Sequence, residues 1–356
     1  MRALDLYAGA GGWTLATEQL HIHEQAVELM PQANATRYAA YGTKPLYVNA
    51  WAPPQNLDGE HYDGIIASPP CQEFSLAGSG NKAHGAREVL RAIDRDAYTN
   101  WRALKLLAMV YGEKFALVLT PLTYVSALQP EWTVWEQVPT VLPVWEECAK
   151  KLRALDYWTW TGVMDAEAYG VPQTRSRAIL IASKTKAVGR PKPTHSRYYP
   201  RTPHKMDPGV LPWVSMAQAL GWDEDDRIGW ARRDDGNSAE ELRGQMVRSR
   251  DLRPASSPSF VVTEKARSWE RHWAYRRPST TVVGSFRPDT IAAPDYRNSG
   301  PRQDAPDSVR VTIAEAGVLQ SFPEDYPWRG SATKQYLQVG NAIPPLLAKA
   351  ILEEAI

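Results

Sequence analysis

Cysteine is scarce in this sequence: Cys71 and Cys148 are the two present in 356 residues. That excludes a disulfide framework and a cysteine-rich metal site, so any cysteine chemistry must be solitary. Long apolar runs are also missing. None reaches the ~18 residues a membrane-spanning helix requires, which argues against a membrane protein. Net charge is nearly absent as well, since 41 basic residues meet 40 acidic ones for a total of +1. A polybasic or acidic tail protein is thereby set aside. No low-complexity segment occurs, and a glycine-rich turn begins within ten residues of Met1, leaving no room for a leader sequence. The expectation is a cytoplasmic protein, without a metal site and long enough to bury a substantial core.

The small total conceals a regional division. From Lys184 to Arg310 there are 23 basic and 16 acidic side chains, a surplus of 7, and the rest of the chain carries a deficit of 6. A basic segment within an otherwise acidic chain suits a polyanion-binding module attached to a small-molecule domain. An arginine-rich solvated surface would show the same charge.

The first seventy residues alternate as βαβ units do. Strands are predicted at Ala3 to Tyr7, Ala26 to Leu29, Leu46 to Val48 and Gly64 to Ala67, with helices at Trp13 to Leu20 and Ala33 to Tyr41. Further on, Trp101 to Tyr111 and Val144 to Leu155 read as helices, and Trp132 to Val138 and Arg177 to Ser183 as strands. The fold class is therefore α/β, a doubly wound sheet. From 189 to 306 proline, arginine, aspartate and serine dominate, which marks a smaller, irregular, β-containing domain with short strands at Ser259 to Thr263 and Ser279 to Val283. Helices at Thr312 to Leu319 and Pro344 to Glu354 return to the first domain, which thus comprises 1–188 and 307–356.

The turn Gly9-Ala10-Gly11-Gly12 between the first strand and helix lets backbone N–H groups approach a ligand closely. It fits neither the dinucleotide fingerprint nor a phosphate-binding P-loop. Glu28 ends the second strand where an acidic group commonly accepts from ribose hydroxyls, so a nucleoside-bearing cofactor is implied. Ser68-Pro69-Pro70-Cys71 follows the fourth strand, which puts a thiol on a stiff turn at the carboxyl edge of the sheet. The residues after it, Glu73 to Ala86, read as a loop rich in glycine and serine. Glu136 should reach the same edge as a proton donor, and Arg175 and Arg177, two apart in extended backbone, share one direction.

Taken in order, Asp5 to Trp13, Pro69-Pro70-Cys71-Gln72-Glu73-Phe74-Ser75, Glu136-Gln137-Val138, Gln173 to Arg177, Arg310 to Pro323 and Gln338 to Pro345 resemble the motif series of the DNA (cytosine-5) methyltransferase family. The series spans almost the whole chain, and its Pro-Pro-Cys-Gln and Gln-Val-Gly-Asn-Ala-Ile-Pro-Pro elements are highly specific in combination.

That resemblance implies an S-adenosyl-L-methionine-dependent enzyme that flips a cytosine out of double-stranded DNA and methylates its carbon 5. It assigns Cys71 as covalent nucleophile, Glu136 to the ring N3, Arg177 to the base carbonyl and Arg175 to support of the pocket. For the cofactor it implicates Asp5, Tyr7, Ala8, Gly9, Gly11, Gly12 and Pro70, with Trp13 against the adenine, Glu28 on the ribose, and Asn49 and Asn341 as further walls. Gln72 and Ser75 would face DNA, as would Arg248, Arg250 and Arg253 in the target-recognition domain, 189–306. The sequence departs from the pattern at Gln137, where asparagine is usual, at Asn49, where aspartate commonly meets the adenine amino group, and in an additional stretch from Phe115 to Pro130. A stand-alone bacterial or phage type, acting as a monomer, is implied, with a cognate restriction endonuclease as a partner left open. Two alternatives carry the same motifs: an RNA (tRNA) cytosine-5 methyltransferase, and a catalytically silent DNA-binding relative.

Overall fold

The computed structural model describes residues 1–51, 60–70, 81–199, 202, 205–221, 279–280 and 312–356. In chain order its elements are β1 (Arg2–Leu6), α1 (Gly12–Gln19), β2 (His23–Val27), α2 (Pro31–Tyr41), β3 (Gly64–Ala67), α3 (Asn81–Asp94), α4 (Trp101–Tyr111), α5 (Glu113–Leu117), α6 (Thr120–Leu128), β4 (Trp132–Gln137), α7 (Leu142–Arg153), β5 (Trp158–Asp165), β6 (Gln173–Thr174), β7 (Ser176–Ser183), α8 (Met216–Leu220), β8 (Ser279–Thr280), α9 (Ile313–Leu319), α10 (Ala332–Asn341) and α11 (Pro345–Ala355). Among the described residues no helix is long and apolar enough to cross a membrane. The residues divide into two compact units, one of 1–164, 176–192 and 347–356, the other of 165–175 and 193–346.

The first unit is built on a six-stranded sheet of order β2-β1-β3-β4-β7-β5. β1 pairs in parallel with both β2 and β3, β3 pairs in parallel with β4, and β7 runs antiparallel to β4. Strands covered on both faces read as apolar runs, which is why Gly64–Ala67 and Ile179–Ala182 are buried throughout. Gly64 lies beside Trp132, and a Cβ there would meet the indole at 2.1 Å, so that pairing tolerates no side chain. Strand order reverses between β1 and β3, where open α/β sheets bind ligands beyond the carboxyl ends of their strands.

Several sequence expectations change in detail. Leu46 to Val48 makes only an isolated parallel bridge, Tyr47 to Val27, and not a strand. Asn81 to Ala86, read as loop, opens α3. Trp158–Asp165 is an additional strand, exposed enough on both faces to lack an apolar run. Of the two short strands expected in the basic region, the part of the second that is described, β8, pairs in parallel with β6; Ser259 to Thr263 lies outside the described residues.

In the second unit Thr312 caps α9, its hydroxyl accepting from the Glu315 N–H while the Glu315 carboxylate accepts from the Thr312 N–H. Phe322, Tyr326 and Trp328 pack as a triad with ring centroids 4.8–4.9 Å apart. Glu167 is 4% exposed, and one of its carboxyl oxygens has no partner among the described residues. Burial, aided by the Asp165 carboxylate, pushes its pKa up to about 8, against the pull of two backbone N–H groups and Arg197. Because that value is raised, the folded state holds a proton the unfolded chain releases above its ordinary pKa, so stability falls as pH rises from about 4.5 through about 8. Glu167→Gln is expected to remove this loss. Urea unfolding should show the variant more stable than the parent by up to about 5 kcal/mol above pH 8, with the gap closing towards pH 5.

Candidate active site

Two turns flank the switch point. After β1, Tyr7 adopts a left-handed conformation (φ 65°), followed by Gly9 (φ 56°) and Gly11 (φ 105°). The Tyr7 and Ala8 N–H groups both donate to the Val27 carbonyl, at 2.9 and 3.1 Å, which folds the turn over the end of β2. There Glu28 Oε2 accepts from the Gly9 N–H at 2.7 Å and Oε1 from the Met30 N–H at 2.6 Å. Burial pushes the Glu28 carboxyl up from its ordinary value, and those two N–H groups hold it back. A carboxylate fixed this way keeps lone pairs for a diol beside a backbone cradle, so these residues fit a nucleoside.

The structure gives other assigned residues more specific duties. Trp13 is 2% exposed and its indole N–H donates to Ser68 Oγ at 2.9 Å, so it ties α1 to the turn after β3 and shows no open ring face. Asp5 is fully buried, its carboxyl oxygens without a hydrogen-bond partner among the described residues. Desolvation and the nearby Glu24 carboxylate push its pKa well up, while Arg37 pulls it down. Arg37 is itself bound to Glu24 at 2.7 Å and to the Thr14 hydroxyl. Asp5 is thus a buried carboxyl at the end of β1, held well above its ordinary range. Asn49 is half-buried, and Asn341 is an exposed residue at the end of α10 in the second unit.

At the other turn, the register of β3 with β4 pairs Ala67 with Trp135, which carries Ser68, Pro69 and Pro70 past the sheet edge alongside Glu136. Gln137 bridges the two: its side-chain amide donates to the Pro69 carbonyl, and its amide oxygen accepts from the Val138 N–H. The longer glutamine thus anchors the backbone leading to Cys71. Antiparallel β7 brings Arg177 across, and its Nε meets Glu136 Oε1 at 2.8 Å, with both side chains almost wholly buried. Arg175 has a different partner. Its guanidinium, in the second unit and 2% exposed, donates to the Gly340 and Ala342 carbonyls at 3.1 Å. Gln173 joins the same knot through Gln320, which reaches Ala342. Cys71, Gln72, Ser75, Arg248, Arg250 and Arg253 lie outside the described residues.

Cys148 is fully buried in α7, and desolvation pushes its thiol well up, leaving it inert. Among the described residues no cluster of ligating side chains could hold a metal ion.

A doubly wound sheet with a glycine-rich turn held by Glu28 beyond β1 and β2, and a carboxylate–guanidinium pair beside the Pro69-Pro70 segment after β3, fits a transferase that uses a nucleoside-bearing cofactor. The C-5 cytosine-specific DNA methylase family matches residues 1–93 and 111–356, and the chain belongs to that family. Its activity is that of a DNA (cytosine-5) methyltransferase, a family whose methyl donor is S-adenosylmethionine. The chain is similar to the type II methyltransferase M.AplI of Arthrospira platensis, 26% identical over 98% of this chain and 83% of the relative. It also resembles M1.HphI of Haemophilus parahaemolyticus, 25% identical over 99% and 86%. Among solved structures it shares its fold with the Entamoeba histolytica methyltransferase EhMeth (TM-score 0.58, 14% identity, 100% of this chain and 97% of that one). The S. pombe Dnmt2 methyltransferase is comparable (TM-score 0.55, 16% identity, 99% and 97%). The family match runs through Phe115 to Pro130, expected to be additional, and is interrupted instead at 94–110, which contains most of α4.

Proposed function

We propose that the chain methylates carbon 5 of a cytosine flipped out of a specific double-stranded DNA sequence, through a covalent bond from Cys71 to ring carbon 6. The observation that carries this reading is the buried Arg177–Glu136 pair beside Gln137, whose amide holds the Pro69 carbonyl two residues before Cys71 in the sequence. Cytosine C5 is a weak nucleophile until a thiolate adds to C6. Glu136 hydrogen-bonds N3 and supplies the proton that makes the ring electrophilic, while Arg177 orients Glu136 and binds the base carbonyl oxygen. Addition at C6 turns C5 into an enamine carbon. S-adenosylmethionine, when bound, supplies the methyl group, and Glu28 and the Tyr7–Gly12 turn are the residues that would hold its nucleoside and methionine parts. Loss of the C5 proton then expels Cys71 and restores aromaticity. Pro70 completes the cofactor wall in this reading.

Target recognition is assigned to 189–306, and the protein acts as a monomer, beside a cognate endonuclease if one accompanies it. Replacing Arg248, Arg250 and Arg253 together should weaken duplex binding and reduce its salt slope by roughly 0.9 for each phosphate that is no longer neutralised. An unchanged slope would remove that cluster from the DNA interface. Bisulfite sequencing of DNA from cells expressing the chain should reveal one protected sequence context. Methylated RNA with unmethylated DNA would favour the RNA-directed alternative.

A further inference from the structure

Arg37 stands where helix packing would ordinarily place an apolar side chain. It shares the buried face of α2 with Ala33 and Thr36, and its side chain and that of its partner Glu24 are almost wholly buried. The β1–β2 register, Ala3 with Glu24 and Asp5 with Ala26, puts the Asp5 and Glu24 side chains on one face of the sheet. From α2 the guanidinium reaches both neighbouring elements. It donates to Glu24 Oε1 on β2 at 2.7 Å and to the Thr14 hydroxyl in the first turn of α1. The second Glu24 oxygen accepts from the Thr17 hydroxyl of α1 at 3.1 Å. The guanidinium also lies 5.8 Å from the centre of the Tyr41 ring, whose hydroxyl donates to the Gly11 carbonyl at 3.4 Å, within the glycine turn.

Stability alone gives no reason for such a pair, because apolar side chains of similar size commonly serve a buried position as well or better. What it does join is the two elements that carry the cofactor cradle: α1 starts at the glycine turn, and β2 leads into Glu28. We propose that Arg37 is a positioning residue for the cofactor, acting from inside the fold without touching it, by fixing α1 and β2 and with them the glycine turn and Glu28. Its charge works in the same direction. Among the described residues Glu28 interacts with Asp5 on β1, Tyr7 in the turn and Arg37 on α2, while Glu18 on α1 and Glu24 on β2 surround Arg37. Burial pushes the Glu28 carboxyl up, and the Met30 and Gly9 N–H groups, followed by Arg37, hold it down. Without Arg37 the carboxyl rises further, so on lowering the pH it takes up a proton sooner and loses a lone pair for the ribose diol. The inference rests on the cofactor assignment made above.

Calorimetric titration of the full chain and its variants with S-adenosylhomocysteine, at about pH 8.5 and about pH 6, tests it. Between those two values Arg37→Met should lose about tenfold more affinity than the parent does, the size of effect that one neighbouring opposite charge has on a carboxyl. Arg37→Lys keeps the charge without the fork and should follow the parent's pH dependence. Should Arg37→Met fail to fold, the double variant Glu24→Leu/Arg37→Met exchanges the buried pair for apolar side chains and carries the same expectation, with a urea midpoint near the parent's. Equal losses at both pH values, or a double variant that binds as the parent does throughout, would make Arg37 a packing residue and overturn the inference. A parent protein that fails to bind S-adenosylhomocysteine at all overturns the cofactor assignment itself, which distinguishes the two failures.

Discussion

Cys71→Ala is expected to lower methylation turnover by on the order of 10⁵-fold or more, while duplex affinity and S-adenosylhomocysteine binding stay within about threefold of the parent. The reason is that activation of C5 depends on a bond to C6. Cys148, the other thiol, is sealed in α7 with its pKa pushed up and has no route to a substrate. In the proposed arrangement, most phosphate contacts come from 189–306 and the nucleoside is held at Glu28, so binding has little reason to fall. Single-turnover transfer from labelled cofactor, run beside a gel-shift titration, measures both quantities. Residual turnover within tenfold of the parent would mean that the thiol is not the nucleophile.

Glu136→Gln should cut turnover by roughly 10² to 10⁴-fold and leave the KM for DNA nearly unchanged. Glutamine keeps the size and a hydrogen-bonding oxygen for Arg177, whose Nε lies 2.8 Å from the native carboxylate. What it lacks is a transferable proton for N3, so the loss belongs to the chemical step rather than to docking. A variant in which kcat holds and KM rises would instead make Glu136 a binding group.

Much of the sheet could be read from sequence because strands covered on both faces concentrate their apolar residues, as Ile65, Ile66 and Ile179 to Ala182 do. Trp158–Asp165 escaped because at the sheet edge its side chains are mostly half-exposed and its alternation of tryptophan and threonine forms no apolar run. α6 escaped for another reason: Thr120 and Pro121 resemble a break, yet proline in the first turn is compatible with a helix start. At the site, the carboxyl-edge positions of Glu28 and Glu136 followed from strand ends. The partners did not. Spacing alone put Arg175 and Arg177 on one side of an extended segment, but their hydrogen bonds depend on residues far away in sequence, Gly340 and Ala342 for one and Glu136 for the other. Likewise, the family resemblance set Trp13 against the adenine, whereas its indole hydrogen bond to Ser68 and its burial follow only from the packing of α1.

The covalent step is the centre of the account, and one measurement addresses it directly. A duplex carrying 5-fluorocytosine at the target position accepts the methyl group but cannot lose a proton from C5, so elimination should stall with the enzyme still bonded to C6. The account predicts a denaturation-resistant protein–DNA adduct that requires S-adenosylmethionine and maps by mass spectrometry to the peptide containing Cys71. An adduct mapping to Cys148, or full turnover of the fluorinated duplex without any adduct, would contradict it.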